Sequence, residues 1–202
     1  MSRHVVRSEV LALGEYEAIR EPFRARVIEE KKRRRVKLGD RVTVLFESHD
    51  TVLLQVQEML RTERISRENA VAHEIETYNT LLGDDGARDL GATLMIEIED
   101  NDERVRFLAA AKGLAGTVRL RIGESVVAAT IDPARDHADR SSAVVYLVFS
   151  LDEAATAALE RVARNELPAA SLPVTLSVDH PAYQASATLS AATVASLAGE
   201  TS

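Results

Sequence analysis

Before residue 83 the apolar residues of this chain recur mainly at helical spacing, and from residue 92 they recur at every second position. That change of period constrains the fold most tightly, because a 3.6-residue pattern buries one face of a helix and a 2-residue pattern one face of a strand. In "HDTVLLQVQEMLRT", Val52, Val56, Met59 and Leu60 stand at i, i+4, i+7 and i+8 with Leu53 beside them. The spacing predicts one amphipathic helix, capped by Ser48 or Asp50. A second helix follows, with Ser66 as its cap and Val71, Ile75, Tyr78 and Leu82 as its buried line. Ahead of both, a helix is predicted around Pro22, with Phe23, Val27 and Ile28 at helical spacing and "KLGD" as its stop. "RVTVLFE" then reads as a strand.

In the second half, "ATLMIEIED" is a strand and "NDERVRFLAAAKGL" a short helix ending at Gly113. "TVRLRIGESVVAATID" is a hairpin, "PARDHADRSS" a loop, and "AVVYLVFS" an apolar strand central to a sheet or buried on both faces. Ser150 and Glu153 form a capping box for the next helix, a second hairpin turns at "DHPA", and a short helix closes at Gly199. The elements predict an α+β fold: an N-terminal helical half packed on a mostly antiparallel sheet with flanking helices. Residues 1–202 form a single domain in this reading, with a helical subregion over about 1–90 and a sheet-rich one over about 91–195. A composition shift near residues 83–91 is the one candidate boundary.

With 46% hydrophobic residues among 202, the chain can bury a full core. No apolar run approaches the roughly 18 residues of a membrane span, and "MSRHVVRSEVLALGEYE" has no signal core, so a cytoplasmic address is expected. Cysteine is absent, which removes disulfides, thiol nucleophiles and thiolate metal sites. The five histidines, His4, His49, His73, His137 and His180, form no local ligand pair, so neither a metal nor a cofactor of the chain's own is expected. A net charge of −7 argues against nucleic acid or anionic membrane as a partner. Residues 20–41 nevertheless carry ten Lys or Arg against four acids.

The polar groups of residues 47–79 are the candidate site. Glu47, Asp50, Glu58, Glu63, Glu74 and Glu76 lie there with His49 and His73, but His73 and Glu76 stand in the reverse order of a di-iron helix motif, and His73 and Glu58 face outward on their helices. Glu63 falls on the apolar stripe, where a carboxylate must be paired or protonated; Arg61, Arg64 or a cation of the basic helix are the candidate partners. "KKRRR" fits a solvated helix face balanced by Glu29 and Glu30, with an anion or acidic partner as the alternative. "EIEDNDE" has Val105 where a calcium loop needs glycine, so it reads as a strand end and an acidic helix start. His180 of "VDHPAY" reads as a hairpin corner.

"RVIEEKKRRRVKLGDRVTVLFESHDTVLLQVQEMLRTERI", followed by "EIETYNTLL", "GATLMIEIED", "VVYLVFSLD" and "VDHPAYQASATLS", resembles domain-of-unknown-function family 3501 of bacterial proteins over roughly residues 20–190. The resemblance implies an association with rubrerythrin-like proteins and iron–sulfur oxidoreductases, and hence a redox or oxidative-stress role. It also singles out Arg41, Glu47, Gln55, Glu58, Arg61, Glu63, Arg64, Glu74 and Asn79, together with Asp50, Thr51, Gln57 and Tyr78, as family-like polar residues. The leading expectation is a non-catalytic accessory or interaction protein whose partner, a rubrerythrin-like protein or an iron–sulfur oxidoreductase, holds the cofactors. The alternative is a small-ligand- or metal-binding enzyme that uses the acid, amide and arginine cluster of residues 47–79.

Overall fold

The first helical pattern folds as α1 (Leu13–Arg34), and the chain passes directly into β1 (Arg35–Leu38) and β2 (Val42–Phe46). The computed structural model describes residues 3–84, 88–131 and 140–200. The helix stops short of the predicted "KLGD" because the period has already changed. Val36 and Leu38 are buried while Arg35 and Lys37 are exposed, and Gly39, at φ +79°, makes the hairpin turn. The two central helices follow as α2 (His49–Thr62) and α3 (Glu68–Asn79), and a short 3-10 turn, Thr80–Leu82, leads toward β3 (Asp89–Ile96). The second half is α4 (Asn101–Ala110), β4 (Val118–Ile122), β5 (Ser125–Ala128), β6 (Val144–Ser150), α5 (Glu153–Ala163), β7 (Val174–His180), β8 (Tyr183–Thr188) and α6 (Ala191–Ala198).

The fold is α+β, with two antiparallel sheets where the sequence suggested one. Strands run β1-β2-β3-β6 in the first sheet and β5-β4-β7-β8 in the second. In the first sheet Val44 stands opposite Leu94, which stands opposite Val145; one residue along, Leu45, Thr93 and Tyr146 line up on the other face. In the second, Leu120 faces both Leu176 and Val127. One apolar core joins the sheets: Phe46, Leu94 and Phe149 meet Leu120, Ile122 and Leu176, with α4, α5 and α6 closing around them. Each such side chain, fully buried, stabilises the fold by about 1.5–3 kcal/mol.

Strand β6 sits at the edge of its sheet and is buried only at Leu147 and Phe149, so it is neither central nor buried on both faces as its apolar run suggested. Thr130 covers that edge by exchanging backbone hydrogen bonds with Val148, at 2.8 and 3.0 Å. At the opposite corner the Tyr183 hydroxyl of β8 donates to the Leu38 carbonyl (2.8 Å) and accepts from the Arg41 amide (3.1 Å). Both corners therefore tie one sheet to the other, which protects strand edges that would otherwise invite a foreign strand.

A second apolar cluster lies among the helices on the other side of the first sheet. Val52, Val56 and Leu60 of α2 meet Val71 and Ile75 of α3, and Val5 and Val10 of the opening segment complete it. The 3-10 turn lies flat on β3: a Cβ on Gly91 would fall 1.6 Å from the Leu81 carbonyl oxygen. Ser48 caps α2 as expected, accepting from the Thr51 amide. Two other caps differ from expectation. Asp152, not Ser150, caps α5, and α3 starts after Arg67 with no side-chain cap. The end of "GDDG" and most of "PARDHADRSS", His137 included, lie outside the described residues. Among those described, no helix is long and apolar enough to cross a membrane.

Candidate functional site

The face of α2 opposite its apolar stripe is covered by α1, and charged pairs join the two helices. The helices run antiparallel, so partners rise in number on one and fall on the other: Glu17 with Arg61 (2.7 Å), Arg20 with Glu58 (2.8 Å) and Arg26 with Asp50 (2.5 Å). Arg24 approaches Glu58 more distantly, at 3.9 Å. Glu58 is the centre of this ladder. Its carboxylate accepts two hydrogen bonds from the Arg20 guanidinium and one, at 2.6 Å, from the hydroxyl of Tyr16, which has no exposed surface. The Arg20 hydrogen bonds hold the Glu58 carboxyl down at about 2, against partial burial and with help from Tyr16. Burial, and then the hydrogen bond to Glu58, push the Tyr16 phenol above its ordinary range.

Residues 3–12 cross the helices as a strap, fixed by side-chain amides. Gln57 accepts the Leu11 N–H (2.6 Å) and donates to the Leu11 carbonyl (3.3 Å). Asn79 does the same for Val5, at 2.9 and 3.0 Å. An amide side chain has one acceptor and one donor side by side, so it pairs with an extended backbone much as a neighbouring strand would. Arg7 pairs with Glu68 and Glu9 with His49, whose Nε2 lies 3.0 Å from the carboxylate. Asp50, 3.7 Å from Nδ1 and so an ionic neighbour, and then Glu9 hold the His49 imidazole up at about 9.

A third network closes the base of α1. Arg34, 3% exposed, donates to the carbonyls of Glu47 and Ser196 and pairs with Glu30 and Glu200. Ser48 bonds Glu30, and the buried Glu47 carboxylate accepts from the hydroxyls of Thr51 and Thr93, each at 2.5 Å. One guanidinium thus ties α1 to the β2–α2 junction and to the C-terminal end of α6, where carbonyls favour a cation.

The nine predicted residues do not form one cluster. Glu58 and Arg61 belong to the ladder, Asn79 to the strap, Glu47 to the buried network. Arg41 is at the β1–β2 turn, paired with Glu103 (2.9 Å) over the Phe107 ring. Gln55 and Arg64 are exposed and Glu74 is half-buried. Glu63 is exposed, which corrects its placement on the buried stripe. The helix ends at Thr62, and Arg64 adopts φ +54° while the Ile65 N–H returns to the Leu60 carbonyl, so the chain turns away before the stripe reaches Glu63. Glu58 is likewise not solvent-facing, because α1 lies over it. Within "KKRRR", Lys32 pairs with Glu29 and Arg34 with Glu30 as expected, but Arg34 is buried and also reaches Glu200, and Arg35 reaches Glu97. Outside the run Arg20, Arg26 and Arg41 pair with Glu58, Asp50 and Glu103.

Gln57, Arg20, Tyr16 and Arg34 carry the network and were not among the nine. The signal for the ladder was in the sequence, since the charges at 17, 20 and 26 oppose those at 61, 58 and 50 in antiparallel order. Among the described residues no group of three or more His, Asp or Glu is placed to hold a metal ion. A cleft of about 680 Å³ opens beside α3, with Asn79 the sole member of the predicted set on its wall, next to His4, Asp84 and the buried Asp89. A second of about 660 Å³, near Lys37, Glu97 and Arg104, contains none of the nine.

No curated protein matches the chain. A solved structure, that of a novel protein of unknown function from Burkholderia pseudomallei, is similar at 36% identity and TM-score 0.85, covering 97% of this chain and 98% of that one. The shared fold extends over nearly the whole of both chains and carries no activity with it. The family model described as protein of unknown function (DUF3501) matches residues 4–201, and the chain therefore belongs to that family.

Proposed function

We propose that this chain is a non-catalytic accessory protein that acts by binding a protein partner in a redox or oxidative-stress system, with the cofactors held by the partner. One observation carries the reading. The side chains best suited to acid–base chemistry, Glu58, Tyr16 and His49, are bound into the α1–α2 ladder and the strap. A carboxyl held at about 2 by a guanidinium is a poor proton carrier near neutrality. The partner class, a rubrerythrin-like protein or an iron–sulfur oxidoreductase, rests on the family resemblance, as does the bacterial origin. A cytoplasmic address is part of the same proposal. Size-exclusion and affinity capture from native extract test it. The expected result is a stoichiometric complex with an iron-containing oxidoreductase; a solitary protein with turnover of its own overturns it.

The cleft beside α3 favours a second reading, a small-ligand binder. Its volume lies within the roughly 300–1,000 Å³ of ligand sites, and its wall mixes Ile75 and Val148 with His4, Asp89 and Asn79. Metal analysis of protein purified without chelator, and a thermal-shift screen of small polar molecules, separate the two. Stoichiometric metal, or one ligand that raises the melting temperature, supports the second.

A further inference from the structure

We infer that the groove between α2 and α3 is a docking groove for an extended, apolar-anchored segment of a partner protein, and that residues 3–12 occupy it as a displaceable stand-in. The inference deepens the interaction role proposed above and names the surface that would perform it. The strap shows how such a segment sits. Its backbone is clamped at Val5 by Asn79 and at Leu11 by Gln57, contacts that read main chain and not sequence. Main-chain pairing of this kind gives affinity to any extended peptide, while side-chain pockets give specificity. Two pockets are used, by Val5 at 2% exposure and Val10 at 6%. Charges at the rim fix the register, Arg7 on Glu68 and Glu9 on His49.

The stand-in fits its seat incompletely. Val6, Arg7, Ser8 and Glu9 are exposed, so the buried apolar anchors are two valines. They lie between the hydrogen bonds of Arg3 and His4 to the carbonyls of Asp89, Leu82 and Gly83 at one end and the Leu11 clamp at the other. Beside Val10 a partly open cavity of about 110 Å³ remains, lined by Val10, Leu13, Leu60, Ile65 and Val71 among others. A valine therefore stands where a larger apolar residue fits, and the occupant the groove selects is an extended segment with leucine or a bulkier apolar residue at that place. Such a segment competes with an intramolecular strap whose effective concentration is of millimolar order. Each methylene it adds to the pocket strengthens it about fourfold.

The test uses the full chain and two fluorescent ten-residue peptides, one with the sequence of residues 3–12 and one carrying Val10→Leu. A strap-loosened chain, Val5→Ala with Glu9→Gln, is the receptor, and cooperative thermal unfolding shows that it is folded. The expected results are saturable binding about tenfold tighter than to the unaltered chain, about fourfold preference for the Val10→Leu peptide, and loss of binding when Asn79→Ala is added. Absence of saturable binding, or equal affinity for the two peptides, overturns the inference. Where the loosened chain does not fold, the unaltered chain with excess Val10→Leu peptide decides instead. Faster exchange of the Val5 and Leu11 amide hydrogens supports displacement, and unchanged exchange refutes it. Peptide binding without capture of an iron-containing partner would sink the redox assignment and leave the groove standing.

Discussion

Gln57 and Leu11 exchange two hydrogen bonds, side-chain amide to backbone, across 46 positions of sequence. Asn79 and Val5 repeat the arrangement one helix away. Each pair replaces one residue's worth of strand pairing, so losing either should release one end of the strap. Gln57→Ala and Asn79→Ala are each expected to destabilise the fold by about 1–2 kcal/mol, as for a buried amide pair left unmade. Hydrogen exchange localises the effect. Gln57→Ala should speed exchange at Leu11 more than at Val5, and Asn79→Ala the reverse; uniform loss of protection would show that the clamps do not act separately.

His49 gives the strap a dependence on pH. Asp50 and Glu9 raise its folded pKa from the ordinary 6.5 to about 9. A raised pKa means that the stabilising charge is fully present below pH 6.5 and is lost as pH rises through 9. The imidazole resonances should therefore titrate near pH 9, and Glu9→Gln should lower that midpoint. A midpoint near 6.5 in the unaltered protein would place His49 outside the pair.

Glu58 works in the opposite sense. Its carboxyl falls from 4.5 to about 2, so the stabilisation is complete above 4.5 and disappears as pH falls through 2. Because the side chain keeps 27% of its exposure, solvent screens the pair, and Glu58→Gln is expected to cost about 1 kcal/mol at neutral pH. Urea unfolding from pH 7 down to 2 should show the unaltered chain and the variant converging at the acid end.

Gly91→Ala is expected to be severe. The added Cβ would fall 1.6 Å from the Leu81 carbonyl oxygen, and the clash is with backbone, which cannot swing aside. Either β3 or the 3-10 turn must shift, disturbing Leu82 in the helical cluster, so a loss of about 3 kcal/mol or more is expected in chemical denaturation. A loss below about 1 kcal/mol would mean that the turn yields easily.

The α+β class was legible from period alone, since Val52, Val56 and Leu60, or Leu120 and Ile122, report their burial directly. The edge position of β6 was not, because an apolar run also suits an edge strand whose second face is half-covered, where Tyr146 packs on the helical cluster and Thr130 pairs with Val148. For the polar residues, helical angle placed Glu58 outside, which is correct for an isolated α2 and wrong once α1 lies over it. Glu63 was misplaced because the turn at Arg64 uses a left-handed residue that is not glycine, the usual signal for a stop. Partners such as Val5 for Asn79 lie too far apart in sequence for local patterns to join them.

A double-mutant cycle on Arg20 and Glu58, using Arg20→Ala, Glu58→Ala and the double variant in urea unfolding at neutral pH, tests most directly whether these charged groups hold the structure together. A stabilising coupling larger than experimental error is predicted for this doubly hydrogen-bonded pair. Additive effects, with no coupling beyond error, would show that the pair does not stabilise the fold and would return Glu58 to the residues free for chemistry.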